Sequence, residues 1–101
     1  MTSTKDIICE AIAKKKVISF DYEGGKRKVE PFLLGTHKDS GNEVLRAYFL
    51  SGHSASNEGP GWRLYLTGEM SNLTMEDETF TGVGEQYNPN DSAMSEIFCR
   101  I

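Results

Sequence analysis

The spacing of apolar residues changes once, near residue 17, and that change limits the possible folds more than any other feature. Ile7, Ile8, Ala11 and Ile12 recur at three- and four-residue intervals, which puts them on one face of a helix. Ser3 or Thr4 can cap it, Asp6 lies in its first turn, and Lys14, Lys15 and Lys16 supply positive charge where the helix dipole is negative. The spacing predicts a helix over 4–15. From Val17 the period becomes two: Ile18, Phe20 and Tyr22 alternate with Val17, Ser19 and Asp21, a β-branched and aromatic run that reads as a strand.

Gly24 and Gly25 supply the positive backbone dihedrals of a tight hairpin turn. The second strand covers 26–36, and Pro31 inside it lacks an N–H, so the strand is either an edge there or bends at a bulge. Residues 38–42 form a turn. A third strand over 43–51 sets Leu45, Ala47 and Phe49 against Val44, Arg46, Tyr48 and Leu50; both faces are largely apolar, which places it at the centre of the sheet. The Gly- and Ser-rich stretch 52–61 is a loop of the kind that borders sites. Trp62, Leu64 and Leu66 then alternate with Arg63, Tyr65 and Thr67 in a fourth strand, and about 70–80 makes a fifth after a break near Gly68. In the tail, 81–101, residues 93–101 read equally as a short helix or a terminal strand. One helix followed by five closely spaced strands predicts a single, mainly β (α+β) domain over 1–101, a small barrel over about 16–80 with the helix across one opening.

A chain of 101 residues with 38% hydrophobic and 26% charged content holds one core and excludes a multidomain enzyme. No run is long and apolar enough for a membrane helix and no signal-peptide pattern opens the chain, so no membrane partner and a cytoplasmic location are expected. Cys9 and Cys99 are too few for a disulfide framework and too far apart in sequence for a metal motif, and both are expected to be reduced. The net charge of −4 is unevenly spread, with nine Lys/Arg against seven Asp/Glu in the first fifty residues and two against eight thereafter. Coating of duplex DNA, which rests on many phosphate contacts, is disfavoured; a local basic patch can still hold an anion.

No catalytic constellation is visible, and no enzymatic activity is expected. His37 and His53 lack partners at ligand spacing, so no metal or other cofactor is expected. Gly52-His53-Ser54-Ala55-Ser56 lacks the closing glycine and the following helix of a nucleophile elbow. Glu76, Asp77 and Glu78 are adjacent on a strand and point to alternate faces, unlike the spaced ligands of a calcium loop. What remains is a set of arginines and aromatics on neighbouring strands: Arg27, Arg46, Tyr48, Trp62, Arg63 and Tyr65. Arginine grips phosphate or carboxylate through paired hydrogen bonds, and an aromatic face accepts a stacked base. Trp62 and Tyr48 serve equally well as core, and Arg46 as a cross-strand partner of Glu30 or Glu43.

Residues 7–80 resemble a WYL domain, the ligand-sensing module found behind helix-turn-helix domains in bacterial transcription regulators. The likeness rests on the Ile8 to Phe20 opening, on Arg27-Lys28-Val29-Glu30-Pro31 followed by Phe32-Leu33-Leu34, and on Arg63-Leu64-Tyr65-Leu66-Thr67-Gly68-Glu69-Met70. The tail Tyr87-Asn88-Pro89-Asn90-Asp91 is similar to family tails. The name-giving tripeptide is replaced by Val44-Leu45-Arg46, and Leu66 and Glu69 stand where the family carries arginines. The resemblance implies an Sm-like, SH3-like barrel with a regulatory site. Together with the residue set it predicts a module without a DNA-reading domain. It binds a small anionic ligand, such as a nucleotide or short single-stranded nucleic acid, through Arg27, Arg46, Tyr48, Arg63 and Tyr65, and acts through a partner protein. The rival reading is a ligand-free interaction module or homo-oligomer built on strand edges or the 52–61 loop.

Overall fold

The computed structural model describes residues 3–53, 59–82, 84 and 86–101. Helix α1 (Thr4–Lys14) leads into β1 (Lys16–Tyr22), β2 (Gly25–His37), β3 (Glu43–Gly52) and β4 (Gly61–Leu66). A 3-10 turn (Thr67–Glu69) then precedes β5 (Ser71–Thr79) and β6 (Met94–Arg100). Ser3 caps the helix, its hydroxyl accepting the Asp6 N–H at 3.1 Å. At the other end Lys15 takes a left-handed conformation and its N–H returns to the carbonyls of Ala11 and Ile12. The face of Ile8, Ala11 and Ile12 is buried, and burying each isoleucine stabilises the fold by roughly 1.5–3 kcal/mol.

All six strands lie in one antiparallel sheet ordered β4-β3-β2-β1-β5, with β6 also on β2. The fold is therefore mainly β with one N-terminal helix. The expected closure is not seen: β4 and β5 stand at opposite ends of the order, and no ladder joins them among the described residues. The count of strands also rises from five to six, because 93–101 resolves to a strand rather than a helix. Gly35, Thr36 and His37 pair with Ile97, Glu96 and Met94, so the tail's backbone groups go to a sheet edge.

The bend that permits this sits at Pro31. One flank of β2 runs along β3 throughout, but the other changes partner, from β1 up to Val29 to β6 from Leu33. Pro31 falls in that gap, where its missing N–H deprives no ladder, and the β2–β3 register slips between Pro31 and Leu33. At the β1–β2 turn Glu23 and Gly24 both have positive φ, 48° and 87°, the geometry of a type I′ hairpin.

Ile18, Phe20 and Tyr22 join Val29, Leu34, Leu45, Ala47, Phe49 and Tyr65 and the helix in one core. α1 packs on β1, β2, β5 and β6. Cys9 and Cys99 are joined as a disulfide across 90 residues, against the expectation of free thiols. Sequence separation says nothing of distance once the terminal strand returns beneath the helix. No helix among the described residues is long and apolar enough to cross a membrane.

Candidate functional site: an aromatic groove

Side chains alternate across a strand, and directly paired residues share a face, so the register divides the predicted site residues in two. Leu45 pairs with Tyr65 and Ala47 with Arg63, which puts Tyr65 and Arg63 on the core side. Arg27 pairs with Phe20 and follows it inward. Tyr48 pairs with Trp62 and Arg46 with Leu64, so Arg46, Tyr48 and Trp62 occupy the opposite face. The five predicted residues therefore do not form one site.

On the core side Arg27 is 5% and Tyr65 2% exposed. The Arg27 guanidinium lies 5.1 Å from the Tyr22 ring centroid and 5.8 Å from that of Tyr65. Its Nε donates to the Tyr22 carbonyl at 3.3 Å, and Glu23 stands 3.7 Å away. One terminal nitrogen of Arg27 and the Tyr65 hydroxyl are buried without a hydrogen bond of normal geometry. Burial pushes the Tyr65 phenol up, against the opposing pull of the nearby Arg27. Arg63 donates to the carbonyls of Trp62 at 2.9 Å and Gly59 at 2.8 Å, and its guanidinium lies over Phe49 at 5.6 Å. Arg27 is thus a core cation stacked on tyrosines, and Arg63 ties the start of β4 to its own backbone.

The opposite face carries a groove. One end, of about 470 Å³, is lined by Glu30, Phe32, Tyr48, Gly61, Trp62, Gly84 and Gln86. The adjoining end, of about 260 Å³, is lined by Arg46, Trp62, Gln86, Tyr87, Asn88 and Asp91. Trp62 is the chain's one tryptophan. Tyr48 meets it edge-on at 5.5 Å and 90°, Phe32 at 4.8 Å and 65°, and Tyr87 stacks beside it at 5.9 Å and 21°. The tail closes the groove from above: Tyr87 donates its hydroxyl to the carbonyls of Phe32 and Ile101 at 3.4 and 3.3 Å. Gly84 fits because it has no side chain; a Cβ there would come within 2.7 Å of the Trp62 ring.

Charge differs between the two ends. Arg46 donates through Nε to Asp91 at 2.8 Å, and a guanidinium has four further N–H donors for an incoming anion. Burial pushes the Asp91 carboxyl up, but the hydrogen bonds from Arg46 and the Ala93 N–H outweigh it and hold the group below the usual range. Glu30 pairs across the sheet with Tyr48. Burial alone raises its pKa, and the ion pairs among the described residues engage Glu10, Glu23, Glu78 and Asp91 rather than Glu30.

Sequence reasoning placed Arg46 and Tyr48 in the site and weighed Trp62 between site and core. It missed Phe32, Tyr87 and Asp91. The signal available for them was the Pro31 bulge, next to which Phe32 packs against Trp62 and Tyr87, and the aromatic in a tail otherwise rich in turn residues. The expected interaction loop lies partly at 54–58, outside the described residues. The described residues contain no cluster of three or more His, Cys, Asp or Glu side chains able to hold a metal ion. A scan against protein-family models found no matching family, and comparison with curated proteins and with solved structures gave no significant match.

Proposed function

We propose that the protein is a ligand-binding regulatory module of the WYL type, an Sm-like unit that takes a small anionic ligand in the aromatic groove and signals occupancy to a partner protein. The observation that carries this reading is the groove itself, in which Trp62 stacks beside Tyr87 with the Arg46 guanidinium in the same lining. A flat ring, such as a nucleobase of a nucleotide or a short single strand, lies against Trp62 while its phosphate takes the spare donors of Arg46. Arg27 and Tyr65 are buried on the opposite face of the sheet from the groove and have no part in this contact.

Because Trp62 is the sole tryptophan, its emission reports occupancy of the groove directly. Nucleotides, short single-stranded DNA and RNA, and simple anions are titrated at low and moderate salt while emission and thermal unfolding are followed. A ligand at about a hundred times its dissociation constant adds roughly 2.7 kcal/mol of stability. A salt-sensitive response that disappears in Arg46→Gln supports the proposal. No response from any of the panel shifts the reading to the interaction module, which the outer edges of β4 and β5, unpaired by any strand among the described residues, favour. A concentration-dependent mass in solution identifies that case.

A further inference from the structure

We propose that the Glu30 end of the groove is a binding site for an alkylated ammonium group. The proposal does not rest on the anion reading: the two ends share Trp62 and Gln86 but carry different charged residues.

The walls are the first observation. Tyr48 stands at 90° to Trp62, and Phe32 at 65° to it, so three rings line one end of the groove, two of them steeply inclined to the third. Ring faces are negative, and a cation held over them within about 6 Å is attracted. The second observation is the carboxylate. Glu30 lines the same space, is half-buried, and is unpaired among the described residues. A carboxylate that lines the same space as three aromatic rings repels anions and favours a cation.

The neighbouring cations do not fill that role. Arg46 lies two residues from Tyr48 on β3, roughly 7 Å along the strand, and is bonded to Asp91. Lys28, two residues before Glu30 on β2, is paired with Glu78.

The chemistry also selects among cations. A hard metal ion needs several oxygen ligands, and among the described residues lining this end Glu30 is the one carboxylate. A primary ammonium brings three N–H donors to satisfy, whereas an alkylated one exchanges them for apolar surface that suits Trp62, Tyr48 and Phe32. A tri- or tetra-alkylated head, from a free amine or a modified lysine side chain, therefore fits best.

The test uses the full chain, with tetramethylammonium chloride, choline chloride and N-acetyl-trimethyllysine amide as probes and sodium and ammonium chloride as controls at matched ionic strength. Trp62 emission and titration calorimetry are read together. The expected result is saturable binding of at least one alkylated probe. That binding weakens by at least about tenfold in Glu30→Gln and stays within about twofold in Arg46→Gln. Preference for choline or for the lysine derivative tells the free amine from the side chain, and either supports the site. The proposal is overturned if folded wild-type protein shows no response beyond that of sodium chloride, or if a Glu30→Gln variant with unchanged far-UV dichroism binds as well as wild type. The anion titrations fail or succeed separately, through Arg46.

Discussion

Replacing both cysteines by serine tests the largest single constraint on the fold. The Cys9–Cys99 bond joins α1 to β6 across 90 residues, so it closes nearly the whole chain. On the chain-entropy account, a loop of that length removes about 4.6 kcal/mol of freedom from the unfolded state at 25 °C. Unfolding entropy for a domain this small is on the order of 0.2 kcal/mol/K, so the loss corresponds to a fall in Tm of roughly 20 °C. Thermal unfolding of wild type, wild type with a dithiol reductant, and Cys9→Ser/Cys99→Ser should give one high and two matching low midpoints. Intact mass after thiol alkylation, with and without reduction, verifies which species is oxidised. Hydrogen exchange adds a local readout: among the described residues β6 pairs with β2 alone, so in the double variant its amides should lose protection before those of β3. A difference below about 5 °C between verified oxidised and reduced protein would refute the reasoning. It would show that packing against the helix already confines β6 without the bond. Free thiols in protein isolated under thiol-blocking conditions would agree with the expected cytoplasmic location, where disulfides are rare.

Three further outcomes follow from the cores on either face of the sheet. Tyr65→Phe removes a buried hydroxyl without a well-formed hydrogen bond; stability should be unchanged or rise by up to about 1 kcal/mol in denaturant unfolding, and a clear loss would show that the nearby Arg27 contact stabilises the fold. Asp91 has a folded-state pKa below its ordinary 3.8, so its ion pair with Arg46 contributes stability above that pH and loses it as pH falls through the folded value; Asp91→Asn should flatten the decline in Tm below about pH 4 and leave a smaller difference between pH 7 and pH 3. Gly84→Ala places a methyl against the Trp62 ring, and should cost roughly 1–3 kcal/mol while shifting Trp62 emission to the red; an unshifted spectrum would remove the tail from the groove.

Most of the fold was legible because local periodicity and turn chemistry carried it. The Ile7 to Ile12 pattern gave α1, Gly24-Gly25 marked the β1–β2 turn although its positive-φ pair is Glu23 and Gly24, and of the edge or bulge that Pro31 announced the register shows the bulge. What local signals could not supply was long-range pairing. Residues 93–101 have no decisive periodicity, and their strand character comes from β2, whose second half needs a partner once β1 has left it. The disulfide was hidden for the same reason. It depends on β6 returning beneath α1, and that return is a property of the sheet rather than of either cysteine's neighbours.

The site was half legible, and the half that failed shows how strand parity governs function. Arg46 and Tyr48 have the same parity on β3, and so do Arg63 and Tyr65 on β4, so each pair could be read from sequence as sharing a face. Which pairs share a face with each other depends on the register across the connection between the strands, and one residue of slip exchanges the faces. The observed register sets Tyr48 against Trp62 and Leu45 against Tyr65. A chain with eleven basic residues therefore spends one arginine inside its core, lays another along the β4 backbone, and leaves Arg46 beside the aromatic groove. On the proposed reading, an arginine at one end and, at the other, a carboxylate unpaired among the described residues discriminate ligands by orientation. Exchanging the charges with Glu30→Arg and Arg46→Glu should reverse which end of a bipolar ligand lies against Tyr48. If both variants bind as wild type does, the rings alone carry the affinity.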